Sequence, residues 1–168
     1  ALYSLTHSEH FHAETTAQIK SNAYSFGCTI AEVEVDIPAC KVQLIDIVNV
    51  HDCGRLINPA LAEAQVHGGM SMAIGYGLSE QLIFDEKTGR PLNNNLLDYK
   101  ISTFMDHPRL KGLFVENEEP TSAFGTKSLG EPPTCSVAPA IRNAVYQATG
   151  VFINEAPMTP HILFKYFK

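Results

Sequence analysis

The stretch from Lys41 to Val50 constrains the fold more than any other part of the chain. Val42, Leu44, Ile45, Ile47, Val48 and Val50 crowd it with apolar, partly β-branched side chains. Successive side chains of a strand point to opposite faces. A run this dense therefore predicts a central strand covered on both sides. The segment before it, Ser25 to Asp36, reads as a second strand, with Phe26, Cys28 and Ile30 on one face and Thr29, Ala31, Val33 and Val35 on the other. Pro38-Ala39 breaks the two apart, and so short a link predicts an antiparallel hairpin.

A helix follows. Asn58 then Pro59 is a capping residue with proline in the first turn, and the helix is expected to run to about Ser79. Its interior carries Gly68, Gly69, Gly75 and Gly77. Each glycine costs a helix ~1 kcal/mol relative to alanine, so four of them imply a compensating gain. Either another element packs very close or a ligand approaches the backbone, and the residues alone leave the two open. Gln81 to Asp85 reads as a short strand closed by a turn at 85–89, residues 93–100 as irregular, and Leu113 to Val115 as a third strand. Pro139 to Thr149 reads as a last helix with Ala140, Ile141, Ala144, Val145 and Ala148 on one face, stopped by Gly150. This mixed order predicts an α+β fold, a mixed sheet with packed helices, over residues 1–168, with 1–22 as an extended arm.

At 168 residues, 45% of them hydrophobic, the chain supports a real core. Its net charge of −6 and lack of a basic run argue against nucleic acid. No apolar stretch approaches the ~20 residues of a membrane span, and no signal peptide opens it, so a cytoplasmic location is expected. It opens on Ala1 rather than Met, as a fragment or processed product would. Cys28, Cys40, Cys53 and Cys135 lack the close pairing of zinc or iron–sulfur ligands and read as reduced thiols. His7, His10 and His12 lie close enough to hold a metal. They have no carboxylate or cysteine at ligand spacing, so a polar arm is the simpler reading and no metal ligand is assigned.

The segment with most chemical content is Lys127-Ser128-Leu129-Gly130-Glu131-Pro132-Pro133. A carboxylate ahead of two prolines is stiffly held. Pro132 disfavours the helical region for Glu131 and should hold it extended, and two residues without N–H should keep the loop from becoming helical. Gly130 permits a tight turn or close ligand approach. One acid on a rigid turn suits a positioned general base; a structural turn with a solvated glutamate is the competing reading.

These residues resemble a known family. KSLGEPP followed by an alanine-rich helix is similar to the Gly-x-Gly-Glu-Pro-Pro signature of the molybdenum hydroxylases, with Leu129 and one glycine in place of the usual opening. NVHDCGRLINPALAEAQVHGGMSMAIGYGLSEQL resembles the family's Asp-x-Gly, Asn-Pro and Gln-x-x-Gly-Gly helix, DYKISTFMDHP its Tyr-Lys…Pro loop, and GCTIAEVEVD the strand before them. Four blocks in order cover the chain from about Phe11 onward. The nearest resemblance is to the C-terminal segment of the molybdenum-binding subunit of bacterial xanthine dehydrogenases with separate molybdenum, FAD and iron–sulfur subunits.

The resemblance implies a fold and an activity. Glu131 matches the active-site glutamate, the base in hydroxylation of an electron-poor carbon beside a ring nitrogen, as in xanthine or hypoxanthine. Electrons would leave through iron–sulfur clusters to FAD. Gln65 matches a glutamine that contacts the molybdenum–molybdopterin cofactor, expected in its cytosine dinucleotide form, and Gly68 and Gly69 lie beside it. Lys127 and Ser128 lead to the glutamate and are expected, with Gly130 through its backbone, among the cofactor-binding residues. The implied partners are the remainder of the molybdenum subunit, an FAD subunit and an iron–sulfur subunit. Aldehyde, nicotinate or aryl-CoA substrates are the alternative within the family, and a non-catalytic metal- or partner-binding fragment is the alternative outside it. The family's other cofactor loops lie upstream of the matched segment, so the chain by itself should be inactive.

Overall fold

A computed structural model describes residues 12–16, 18 and 22–168. Its framework is a three-stranded mixed sheet with helices on one face. Strand β1 (Phe26–Asp36) and strand β2 (Lys41–Asp52) form the expected hairpin, antiparallel from Asp36↔Lys41 to Phe26↔Asp52, with one irregularity between Glu32 and Val33. Strand β3 (Leu110–Phe114) pairs with the other edge of β2, and the pairing is parallel, from Ile47↔Leu110 to His51↔Phe114. β2 is therefore central, in the order β1-β2-β3. A parallel neighbour requires a crossover, and the long segment between Asp52 and Leu110 supplies it through helix α1 (Pro59–Leu78).

α1 begins as its sequence dictates. The Asn58 side chain accepts a hydrogen bond from Leu61 N at 3.1 Å, and Pro59 sits in the first turn. Three further helices complete the fold: α2 (Pro132–Cys135), α3 (Val137–Thr149) and α4 (Pro160–Tyr166). α3 lies across β1 and packs on α1, and Gly150 ends it in the left-handed conformation with φ 71°. The core lies between the sheet and these helices. Ile47 of β2 meets Val66, Met70 and Ile74 of α1, Val137, Ile141 and Val145 of α3, and Ile153 and Leu163 from the C-terminal stretch. Each such side chain contributes about 1.5–3 kcal/mol by leaving water.

Several expectations are corrected. Gln81–Asp85 is not a strand: Phe84 bridges only to Pro91, and Asn93 instead knots the segment by accepting from Ile83 N and donating to Gln81 O. The third strand starts at Leu110 rather than Leu113. α4 has the Thr-Pro start of a capped helix, with Thr159 accepting from Ile162 N. β2 is central, but only its helix side is sealed. On the other side Val48 and Val50 are half-buried, and their neighbours Phe26, Ile30 and Leu113 are exposed.

Glu131 is not extended. Its φ of −87° and ψ of −31° lie in the helical region, and α2 starts at Pro132. The two prolines occupy the first helical positions, where N–H groups have no partner within the helix anyway. The Glu131 carbonyl is then satisfied by Thr134 N at 2.9 Å and Thr134 Oγ1 at 2.7 Å. These bonds offset the pre-proline penalty. Cys28, Cys40, Cys53 and Cys135 are all free thiols, and among the described residues no helix is long and apolar enough to cross a membrane.

Candidate functional site

The last residues of β2 turn sharply before α1. Asp52 accepts from Gly54 N at 3.0 Å, and Gly54 has φ 69°. A Cβ there would lie 2.3 Å from Gly125 O, so only glycine allows the chains to meet. The incoming loop is stitched to this turn. Arg55 N donates to Gly125 O at 2.9 Å, and Lys127 N donates to Cys53 O at 2.8 Å. Below them the Lys127 ammonium lies 2.7 Å from Asp52 Oδ2, with side-chain exposures of 5% and 13%. Burial pushes the Asp52 carboxyl up, but hydrogen bonds from Lys127, Gly54 and Asn117 outweigh it and hold the group below its ordinary 3.8. Lys127 thus faces inward, onto the Asp52 carboxylate.

From Lys127 the chain leads to Glu131, held by side chains from three elements. Ser25, just before β1, donates to Ser128 O at 2.7 Å. Gln65 of α1 donates its amide to Gly130 O at 2.9 Å. Asn49 of β2 donates to Pro133 O at 3.0 Å. Farther on, the Thr29 and Ser136 hydroxyls share a hydrogen bond of 2.6 Å. Glu131 itself is exposed, and its carboxyl makes no hydrogen bond or ion pair with any described residue.

The α1 glycines divide by what they face. A Cβ on Gly69 would lie 2.6 Å from Pro133 Cβ, so α1 and α2 touch at bare backbone. Gly77 meets Ala138 of α3, and Gly75 meets the Glu80 side chain. Gly68 is different: it is exposed, and nothing lies within 4 Å of its missing Cβ. The same holds at Gly130. Gln65 and Gly68 are one helical turn apart and share a face. The result is an open patch of bare backbone flanked by one amide and one carboxylate. Beside it a cleft of about 280 Å³ runs between α1 and the loop, lined by Ile57, Leu61, Gln65, Lys127 and Leu129. A larger cavity of about 680 Å³ lies at the far end of α1, by Leu44, Ile74 and His107, and holds none of these residues.

The patch offers room at bare backbone and a free amide donor and acceptor for a polar ligand. Gly68 and Gly130 leave room at the backbone. One Gln65 amide hydrogen is committed to Gly130 O, and a second hydrogen and the amide oxygen remain to donate and accept. His12 is exposed, while His7 and His10 lie outside the described residues. Among the described residues no three His, Cys, Asp or Glu gather as metal ligands would.

Missed by sequence reasoning were Asn49 and Asp52 as the supports beneath the loop. The signal for Asn49 was a polar residue at a buried register position within Val48-Asn49-Val50.

Known proteins resemble this chain in sequence and in fold. Residues 2–108 match the molybdopterin cofactor-binding domain family, a span that includes Gln65, Gly68 and Gly69. The putative xanthine dehydrogenase molybdenum-binding subunit XdhA of Escherichia coli K12 is 54% identical over 155 residues, 92% of this chain and 21% of the relative. The chain thus spans about a fifth of that relative's length. Among solved structures, quinoline 2-oxidoreductase from Pseudomonas putida 86 superposes with a TM-score of 0.74 at 33% identity, over 80% of this chain and 17% of that one. Aldehyde oxidoreductase from Desulfovibrio gigas gives 0.76 at 28% identity, over 85% and 15%. The chain belongs to the molybdopterin cofactor-binding domain family of the molybdenum hydroxylases.

Proposed function

We propose that this chain forms one wall of a molybdopterin-dependent hydroxylase site and supplies its general base, Glu131. The observation that carries this reading is the hydrogen bond from Gln65 to Gly130 O, which joins the cofactor-side helix to the residue before the free carboxylate. Gln65, Gly68 and Gly130 would border the cofactor, Gln65 through its remaining amide groups and Gly68 and Gly130 as bare backbone, while Gly69 lets α1 meet α2 at Pro133. Molybdenum bound in the pterin supplies the two-electron redox chemistry. Glu131 accepts a proton at its carboxylate and holds a nitrogen-containing ring in register. Lys127 and Ser128 act by fixing the loop: Lys127 through Asp52, Ser128 through its carbonyl.

The substrate class is a purine such as xanthine or hypoxanthine, a reading supported by the 54% identity to a relative named for xanthine dehydrogenation. A quinoline or an aldehyde is the second reading, since enzymes named for those substrates share the fold. The rest of the molybdenum subunit completes the site, iron–sulfur and FAD subunits take the electrons, and the cofactor is the cytosine dinucleotide form. Glu131→Gln in the complete enzyme tests the role of the carboxylate. Loss of a positioned base lowers kcat by roughly 10²–10⁴-fold, with molybdenum and pterin content unchanged. A variant that keeps its cofactor and turns over normally removes Glu131 from the chemistry.

A further inference from the structure

Asn49 stands out as a polar group the proposed chemistry does not use. It sits on the central strand with no solvent exposure. Its neighbours along β2 on the same face are Ile47, a core residue, and His51, also buried. A buried amide in such a place is costly unless its hydrogen bonds are made. Asn49 Nδ2 makes one, to Pro133 O at 3.0 Å, while its Oδ1 finds no partner among the described residues.

The bond's far end explains its presence. Pro133 lies two residues past Glu131 and is itself buried. Its Cβ is the atom against which Gly69 of α1 packs. Pro133 O and Gly130 O are the two carbonyls that bracket Glu131, and each accepts from a side-chain amide. Gln65 holds the first from the helix, and Asn49 holds the second from the sheet. A backbone held on one side only can pivot about that point, whereas two clamps from two elements fix both the place of Glu131 and the heading of its Cα–Cβ bond.

We propose that Asn49 is a positioning residue, acting through Pro133 to fix the backbone from which the Glu131 side chain projects. The proposal rests on Glu131 being the base, and the test separates the two. Asn49→Leu and Asn49→Ala are made in the complete molybdenum enzyme, alone and combined with Glu131→Gln. Rates are taken per bound molybdenum, with whichever of xanthine, quinoline and benzaldehyde the parent turns over fastest.

A misplacement near 1 Å costs about 10²-fold, so each Asn49 variant is expected to lose roughly 10–100-fold in kcat with KM little changed. In the Glu131→Gln background the same change is expected to do almost nothing, because the group it aims is gone. Amide hydrogen exchange in the complete subunit gives a second readout. The segment 130–136 loses protection in Asn49→Ala while the α3 core around Ile141 keeps it.

Equal losses in both backgrounds overturn the proposal and make Asn49 a general support. Normal kcat per molybdenum overturns it too, as does failure of both variants to incorporate molybdenum, which makes the bond one of assembly. If Glu131→Gln alone is fully active, the underlying reading of the base fails instead.

Discussion

Two adjacent glycines of α1 give a sharp test of what the helix is shaped for. Gly68→Ala adds a methyl group where nothing lies within 4 Å. It keeps the helix-propensity gain, ~1 kcal/mol, with nothing to oppose it in this chain. Gly69→Ala adds the same methyl 2.6 Å from Pro133 Cβ, 3.3 Å from Pro133 C and 3.4 Å from Thr134 Cγ2. Carbon atoms pack at about 3.5–4.0 Å, so α2 must retreat by roughly 1 Å, and proline cannot swing aside as a flexible chain would. Overpacking of this kind costs about 1–3 kcal/mol, which leaves a net loss near 1 kcal/mol after the propensity gain. The neighbours therefore differ by about 2 kcal/mol, and a chain of this size shifts by roughly 2–4 °C per kcal/mol. Thermal unfolding followed by circular dichroism should place Gly68→Ala above the parent and Gly69→Ala below it, with about 4–8 °C between them. In the complete enzyme both should lose activity, Gly68→Ala by intruding on the cofactor patch and Gly69→Ala by pushing α2. Equal melting temperatures would refute the close α1–α2 contact as the reason for Gly69. Full activity of Gly68→Ala would refute a ligand against that patch.

Lys127→Met should cost about 3 kcal/mol by stranding the Asp52 carboxylate, and adding Asp52→Asn should recover most of it; urea titration of the four proteins measures the coupling. Asp52 is held below its ordinary pKa of 3.8, so its stabilisation is complete above that value and is lost as pH falls through the folded pKa. The deficit of Lys127→Met should therefore shrink as pH falls through the carboxyl range, because protonation removes the stranded charge. His51 is pushed below its ordinary 6.5 by burial, so the unfolded chain binds its proton first and stability declines as pH drops below about 6.5. His51→Leu should flatten that slope between pH 6.5 and 5; an unchanged slope would assign it to other groups, among them His107, whose pKa burial also lowers.

The hairpin was legible because alternation and a proline break are local signals, and α1 because Asn58-Pro59 and the absence of a later break bound it. The parallel partner of β2 was not, since nothing within Leu110–Phe114 says which edge it joins or in which direction. The apolar Leu82-Ile83-Phe84 looked like a strand, but it pairs only through a single bridge from Phe84 to Pro91, and Asn93 satisfies part of the remaining backbone. Glu131, Gly130 and the α1 glycines stood out from the residues themselves and Gln65 through the family resemblance, and the structure ties Gln65 to Gly130 O and Gly69 to Pro133. The direction of Lys127 was invisible, because an ion pair to Asp52 spans 75 residues. The backbone of Glu131 was misread for a physical reason: the pre-proline preference is modest, and the four-residue helix that follows, with the Glu131 carbonyl satisfied by Thr134, overrides it.

The parallel pairing of β2 with β3 also sets the order in which the chain can mature on the ribosome. The hairpin can close as soon as Asp52 has emerged, but Leu110 follows roughly sixty residues later, about 3–12 s at 5–20 residues per second. For that interval the most apolar strand of the protein has an unpaired edge, the feature that templates association between chains. Slow translation through α1 prolongs the exposure and rapid translation shortens it, so the codons between 53 and 110 bear on the yield of soluble protein even where they leave the finished structure unchanged.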